Sequence, residues 1–206
     1  LTVTGGSSDY GGGICNSNGT LTLANMTISG NSATSDAGGI CNYEDGVLTL
    51  TNTTLSDNSA LYGGGIHNRG VLTLTNTTVA TGSALYGGGI FHHAGTVILT
   101  NTTVSGNSST SSGGGIYNHQ GALTLRNSVV AGNTGSSNDD ISGAYTPESS
   151  FVGSVDGDPM LTAVTDAGGR VLYYLPQPGS PLIEAGNNAL AVDGDGNPLT
   201  TDQIGN

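Results

Sequence analysis

Apolar and polar residues alternate along this chain in short bursts that return at nearly regular intervals. Leu48 and Leu50, Leu72 and Leu74, and Leu123 and Leu125 each flank a threonine, so the leucines of a burst face one side and the threonines the other. A few residues later one apolar position recurs among small polar ones: Ile28, Leu55, Val79, Val104 and Val130. Ahead of both stands a glycine run closed by an isoleucine, and Ile14, Ile40, Ile66, Ile90 and Ile116 fall 26, 26, 24 and 26 residues apart. Each repeat therefore holds three pieces, of the types Gly-Gly-Ile-x-Asn, Leu-Thr-Leu-Thr-Asn and Thr-Thr-Val-Ser-Gly-Asn. Helical periodicity is absent, β-branched residues are enriched and glycine punctuates, so all three read as strands.

A repeat of this length is one layer of a solenoid, which cannot bury its own apolar face without neighbours. Three strands per repeat, with no room for a returning helix, predict an all-β, right-handed parallel β-helix. Its coils stack about 4.8 Å apart, so five clear coils make a rod core about 24 Å long. Residues 1–135 are assigned to the coils. From Thr134 the period fails, and 136–206 are read as last coils plus an irregular C-terminal cap of the same domain, with further strands at 141–145 and 151–155. A terminal coil exposes strand edges and core, which such a segment covers. At the other end Leu1, Thr2, Val3 and Thr4 resemble the second strand of a coil whose first strand is missing. With no initiating Met, the chain reads as a segment of a longer product, and an open first layer would let copies associate head to tail.

Asparagine keeps its place in every repeat. Asn25, Asn52, Asn76, Asn101 and Asn127 form one expected column; Asn16, Asn42, Asn68 and Asn118 form a second, interrupted by His92. Asn31, Asn58, Asn107 and Asn133 form a third, interrupted by Gly82. Stacked side-chain amides can hydrogen-bond from coil to coil and satisfy polar groups where the strands bend. Four members of the first column also match the Asn-x-Ser/Thr acceptor pattern, which a corner asparagine followed by a threonine-rich strand produces automatically. The asparagines are read as scaffold.

Composition narrows the partners. The chain of 206 residues carries 36 glycines, no tryptophan, no lysine and three arginines, and its formal net charge is -12. Nucleic acid and anionic membrane surfaces both demand positive charge and are excluded as natural partners. No apolar run approaches the roughly 18 residues of a membrane span.

Runs of the form "GGGIYN…LTLRNSVVAGN", together with "GDPMLTAVTDAGG" and "PGSPLIEAGNNALAVDGDGNPLTTDQIGN", resemble bacterial extracellular repeat proteins. The likeness is to the polymorphic outer-membrane proteins and to the CSLREA and choice-of-anchor Q groups. It implies a parallel β-helix and export to the cell surface or beyond, without an assigned reaction.

Several constellations are candidates for function. Thr49, Thr51, Thr73 and Thr75, flanked by Thr22, Thr100 and Thr124, form an outward hydroxyl lattice of the kind that binds ice, interrupted by Ile98 and Arg126. The column after the inner isoleucines (Cys15, Cys41, His67, Phe91, Tyr117) is expected to be exposed. With Tyr43, His93 and His119 two residues further on, it makes a face rich in aromatic and imidazole rings. Tyr43, His67, Phe91, His93, Tyr117 and His119 thus offer a platform for sugar rings or, alternatively, a stack that stabilises the coils. Cys15 and Cys41 occupy equivalent positions on neighbouring coils, at a spacing within the disulfide range, and a bridge is expected. Asp193, Asp195 and Asn197 resemble part of a calcium loop, although Pro198 and Ile204 replace its glycine and its closing glutamate; no other cofactor is implied. Cleavage of acidic sugars needs basic side chains, and glycoside hydrolysis needs converging carboxylates; neither constellation stands out. The function expected is a non-catalytic secreted or cell-surface stalk, adhesin or fibre subunit, binding itself or surface glycans. The alternative is a carbohydrate-binding or carbohydrate-cleaving domain.

Overall fold

Three parallel sheets form the sides of a coil that repeats six times in the computed structural model, which describes residues 1–137, 139–193 and 196–200. The first side carries the isoleucines in strands Ile14–Asn16, Ile40–Asn42, Ile66–Asn68, Ile90–His92, Ile116–Asn118 and Ile141–Ser142. The leucine strands make the second side: Thr20–Ala24, Val47–Thr51, Val71–Thr75, Thr96–Thr100, Ala122–Arg126 and Thr146–Glu148. The third side has seven strands, Thr2–Thr4, Thr27–Ser29, Thr54–Ser56, Thr78–Ala80, Thr103–Ser105, Val129–Val130 and Phe151–Val152.

Register stacks like on like. Ile66 lies between Ile40 and Ile90, Leu72 between Leu48 and Val97, and Val79 between Leu55 and Val104. All of these side chains are fully buried, and together they fill one continuous axial core. Burying each such side chain stabilises the fold by about 1.5–3 kcal/mol.

What bends the chain on either side of the third strand of each coil is a left-handed residue. Between the second and third sides it is the asparagine of the first column: Asn25, Asn52, Asn76, Asn101 and Asn127 have φ between 47° and 56°. Asparagine is the side-chain-bearing residue that best tolerates this region, which explains its recurrence better than amide stacking does. The stacking itself is long and partial: Asn52 Nδ2 donates to Asn25 Oδ1 at 3.4 Å and Asn101 Nδ2 to Asn76 Oδ1 at 3.3 Å. Asn127 instead exchanges hydrogen bonds with the backbone of Asn187.

The tight ladders are the other two columns, both buried. Asn16 donates to Asn42 at 2.8 Å, Asn42 to Asn68 at 2.7 Å, and Asn68 to His92 Nδ1 at 3.2 Å. Asn118 turns its amide to the carbonyls of Gly121 and Ala144. In the third column Asn31 donates to Asn58 at 3.0 Å, and Asn107 to Asn133 at 2.9 Å. Where Gly82 interrupts, its own N–H takes the Asn107 oxygen at 2.9 Å.

Each coil also carries a short arm just before the glycine run. Ser7–Tyr10 pairs with Ser32–Asp36 and Ser83–Tyr86 with Ser108–Ser112, and bridges through Ser59 and Tyr62 connect the rest. The arm turns back at another left-handed residue, such as Gly63 (φ 70°). The next glycine is dictated by contact: a Cβ on Gly64 would collide with the backbone of Gly88.

Two expectations at the ends need correction. Thr2–Thr4 belongs to the third side, with Val3 opposite Ile28, so the opening residues are not a leucine strand. Four alternating residues fit either side; the glycine that follows, Gly5 like Gly30 in the left-handed region, identifies the third. The strands expected at 141–145 and 151–155 are shorter: Gly143 turns the chain away after Ser142, and a helical turn, Gly153–Asp156, follows Val152. Beyond the sixth coil comes the irregular C-terminal segment. Its antiparallel hairpin, Leu161–Thr165 with Val171–Pro176, lies along the outside of the third side. Arg170 donates to Ser29 Oγ, Thr54 Oγ1 to the Leu172 carbonyl, and Tyr174 to the Ser105 carbonyl. Four residue steps of strand cover about 13 Å, and the three coil spacings from Ser29 to Ser105 about 14 Å, so this strand runs along the rod axis. The small outward residues beneath it, Thr54, Ser56, Thr78 and Ala80, are buried and allow the close approach.

Two substitutions separate these roles. Asn68→Ala removes the shortest acceptor of the Asn42 amide, which keeps the Gly46 and Val71 carbonyls, and strips the buried His92 Nδ1 of its donor; it is expected to cost about 1–3 kcal/mol. At the corner, Asn101→Ala should cost about 1–2 kcal/mol from left-handed strain, and Asn101→Gly markedly less. Equal losses for the two Asn101 variants in chemical denaturation would show that the amide, not the backbone, matters there.

Candidate functional site

The arm and the first side meet in a corner where three axial columns run together. The arm contributes Tyr10, Asp36, Tyr62, Tyr86 and Ser112, stacked by backbone pairing. The first side contributes Cys15, Cys41, His67, Phe91 and Tyr117 in register. Two residues on, Tyr43, Arg69, His93 and His119 follow, their backbone N–H groups bonded to the coil before.

The first-side column is not exposed as expected. Cys41, His67 and Phe91 are 0%, 1% and 6% accessible, because the arm folds over them. Tyr62 packs on Phe91 with ring centroids 5.2 Å apart and on His67 at 6.4 Å. Tyr86 packs on Tyr117 at 5.4 Å. Within the walls the rings are nearly parallel: Tyr62 with Tyr86 at 5.9 Å and 6°, and Phe91 with Tyr117 at 5.4 Å and 16°. Four rings thus mark a near-square of 5.2–5.9 Å side, and with His119 they line a groove of about 240 Å³. His93 stacks on His67 at 6.2 Å and meets His119 edge-on at 5.3 Å. Tyr43 and Tyr10 carry the aromatic surface on toward the first coil. The six ring residues expected from the sequence therefore do come together, but Tyr10, Tyr62, Tyr86 and Asp36 were missed. Their signal was the tyrosine before the glycine run, repeated at Tyr10, Tyr62 and Tyr86.

Asp36, which the sequence placed in a turn, is a buried strand residue. Its carboxylate lies 3.3 Å from His67 Nδ1 and accepts from Tyr43 Oη at 3.3 Å. Burial pushes this carboxyl up, but His67, the Ser35 hydroxyl and the Arg69 charge outweigh it and hold Asp36 below the usual carboxylate range. His67 Nε2 is buried without a hydrogen-bond partner. Beside the trough, Arg69 pairs with Glu44 at 3.6 Å and lies 5.7 Å from the Tyr43 ring centroid.

Cys15 and Cys41 are register partners, yet the expected bridge is not formed; both are free thiols. Side chains on in-register parallel strands project alongside one another rather than toward one another, which disfavours disulfide geometry. Cys15 is exposed near Ser17, and Cys41 is buried. Burial, reinforced by Cys15 and Asp36, pushes the Cys41 thiol up to about 12.

Elsewhere the candidates fare less well. The threonine lattice keeps its register from Thr22 through Thr49, Thr73 and Ile98 to Thr124, but in the adjoining column Thr75 and Thr100 are buried. At Thr100 the long Arg126 side chain stands directly alongside. In the proposed calcium loop both Asp193 oxygens accept from the Asn197 amide, so Asn197 presents donors rather than an oxygen ligand. Asp195 and Ile204 lie outside the described residues. Among the described residues no group of three or more His, Cys, Asp or Glu side chains could hold a metal ion.

The model of the Chlamydia polymorphic membrane protein repeat matches residues 101–119, from the left-handed corner Asn101 to His119 in the trough. It supports the polymorphic-protein side of the resemblance and leaves the choice-of-anchor Q side as an expectation. No curated protein and no solved structure matches the chain. No helix among the described residues is long and apolar enough to cross a membrane.

Two outcomes follow from this geometry. Burial holds His92 and His93 below the ordinary imidazole value, with Arg69, His67 and His119 adding to the effect at His93. A depressed folded-state value means that stability is full above about pH 6.5 and is lost as the pH falls through the folded values. The melting temperature should therefore drop between pH 7.5 and pH 5, before Asp36 protonates. His92→Asn, which extends the asparagine column, should flatten that drop; an unchanged slope would assign it elsewhere. Thiol titration of native protein at pH 8 should show one fast group, Cys15, and release Cys41 only on unfolding. Two fast thiols would contradict the burial of Cys41.

Proposed function

We propose that this chain is a non-catalytic, surface-exposed β-solenoid module that binds its target through the aromatic trough. The observation that carries this reading is the trough itself: rings from five successive coils, gathered at one corner of the rod. A rigid solenoid holds such a surface without ordering loops, which lowers the entropic cost of contact. Exposure at the cell surface rests on the polymorphic membrane protein repeat at 101–119 and on the lysine-free, acidic composition.

Binding fits the trough better than cleavage does. A glycoside hydrolase needs two free carboxyl groups on either side of the bond. Here Asp36 is engaged by His67 and Tyr43, and Glu44 by Arg69. The role is that of an adhesin or of the contact face of a stalk.

Because the chain has no lysine, amine-directed biotin labels only the N-terminus, which is remote in sequence from Tyr86 and Tyr117. Retention of labelled protein on bacterial and epithelial cell surfaces should fall at least tenfold in Tyr86→Ala and Tyr117→Ala. Thr124→Ala, on the second side, should bind as the wild type does. Equal retention of all four proteins would move the contact surface away from the trough.

A further inference from the structure

We infer that the ligand of the trough is a linear, uncharged polysaccharide lying along the rod axis; this rests on the reading of the trough as the contact surface. The first argument is shape. Ring contacts run unbroken from Tyr10 to Tyr117 through Tyr43, His67, Tyr62 and Phe91, with the tyrosines accessible and His67 and Phe91 buried beneath them. They cross four coil spacings, about 19 Å, and form a strip rather than a closed pocket. A polymer that repeats its contacts fits a strip, and a pyranose ring in an extended chain advances by about the distance between coils. The four-ring square, 5.2–5.9 Å on a side, is the size of one such ring.

The second argument is charge. Formal net charge is -12, and all three arginines are paired: Arg69 with Glu44, Arg126 with Glu148 and Arg170 with Asp166. No lysine exists to replace them. A uronate or sulfated chain would meet Asp36, Glu44 and Asp45 with no unpaired cation to offset them, and is repelled.

Polarity supplies the third. The groove is bordered by tyrosine hydroxyls and by the exposed His119, which can donate to and accept from hydroxyl groups. Aromatic walls with a rim of neutral donors and acceptors match the alternating apolar faces and hydroxyl edges of a sugar chain.

The test is affinity gel electrophoresis of the whole chain in gels cast with mannan, mixed-linkage β-glucan, xylan or polygalacturonate, with poly-L-proline as a non-glycan polymer of extended shape. At least one neutral polysaccharide should retard the wild type. Tyr86→Ala and Tyr117→Ala should weaken that retardation at least tenfold in protein that still melts in a single cooperative transition, while Tyr86→Phe, which keeps the ring, retains it. Retardation by polygalacturonate alone overturns the inference, as does neutral-glycan retardation that survives both alanine variants. Retardation by poly-L-proline alone, or by none of the probes, also overturns it; if trough-dependent cell binding persists in that case, the binding function stands. Loss of both would remove the function as well.

Discussion

Every column in this molecule depends on the backbone taking a left-handed turn at the same point in each coil. An L-residue with a side chain pays for that conformation, so Asn or Gly stands at most of these positions, with Ala37, Asp57, Thr81 and Ser149 the exceptions along the coils. Once the corners agree, coils of 22 to 27 residues superimpose strand on strand. Small differences in length are absorbed in the arms and turns, and the register of the sides is untouched. The isoleucine core, the buried amide ladders and the aromatic trough are all consequences of that superposition.

Superposition also changes what a single residue means. In a compact domain a tyrosine or histidine finds its neighbours from distant parts of the chain. Here its neighbours are the same position one coil above and below, together with the column alongside. A tyrosine repeated before the glycine run thus becomes a wall of rings, and an asparagine repeated after the isoleucine becomes a ladder. Substitutions within a column, such as His92 among asparagines or Gly82 in the third ladder, are local edits. Each is answered by a local repair: His92 accepts from Asn68, and the Gly82 N–H takes the oxygen of Asn107.

The inward half of this pattern was legible because alternation reports which residues face the core. Ile28, Leu55, Val79 and the leucine pairs lie where their spacing put them. The outward half was not, since a side chain outside the coil is buried only if another segment covers it, and no periodicity announces that. Cys41, His67 and Phe91 looked exposed because the arm that covers them is made of Ser, Ala, Asp and Tyr, without a hydrophobic rhythm of its own. Thr54 and Ser56 looked like surface for the same reason, until the hairpin at 161–176 is laid over them. The role of the first asparagine column was half visible: its position was plain, but the dihedral angle that requires it leaves no mark distinct from a hydrogen-bonded ladder.

The hairpin has a mechanical consequence. A stack of coils joined only to nearest neighbours can come apart one layer at a time from either end, each step independent of those beyond it. The strand running from Arg170 to Tyr174 is fastened at Ser29, at Thr54 and at Ser105, which belong to different layers of the third side. It acts as a splint along a laminate. Peeling the outer of these layers must also strip the splint from the inner ones, so fraying there becomes a collective event. Pulling force applied along the rod is shared among several interfaces rather than concentrated on the weakest.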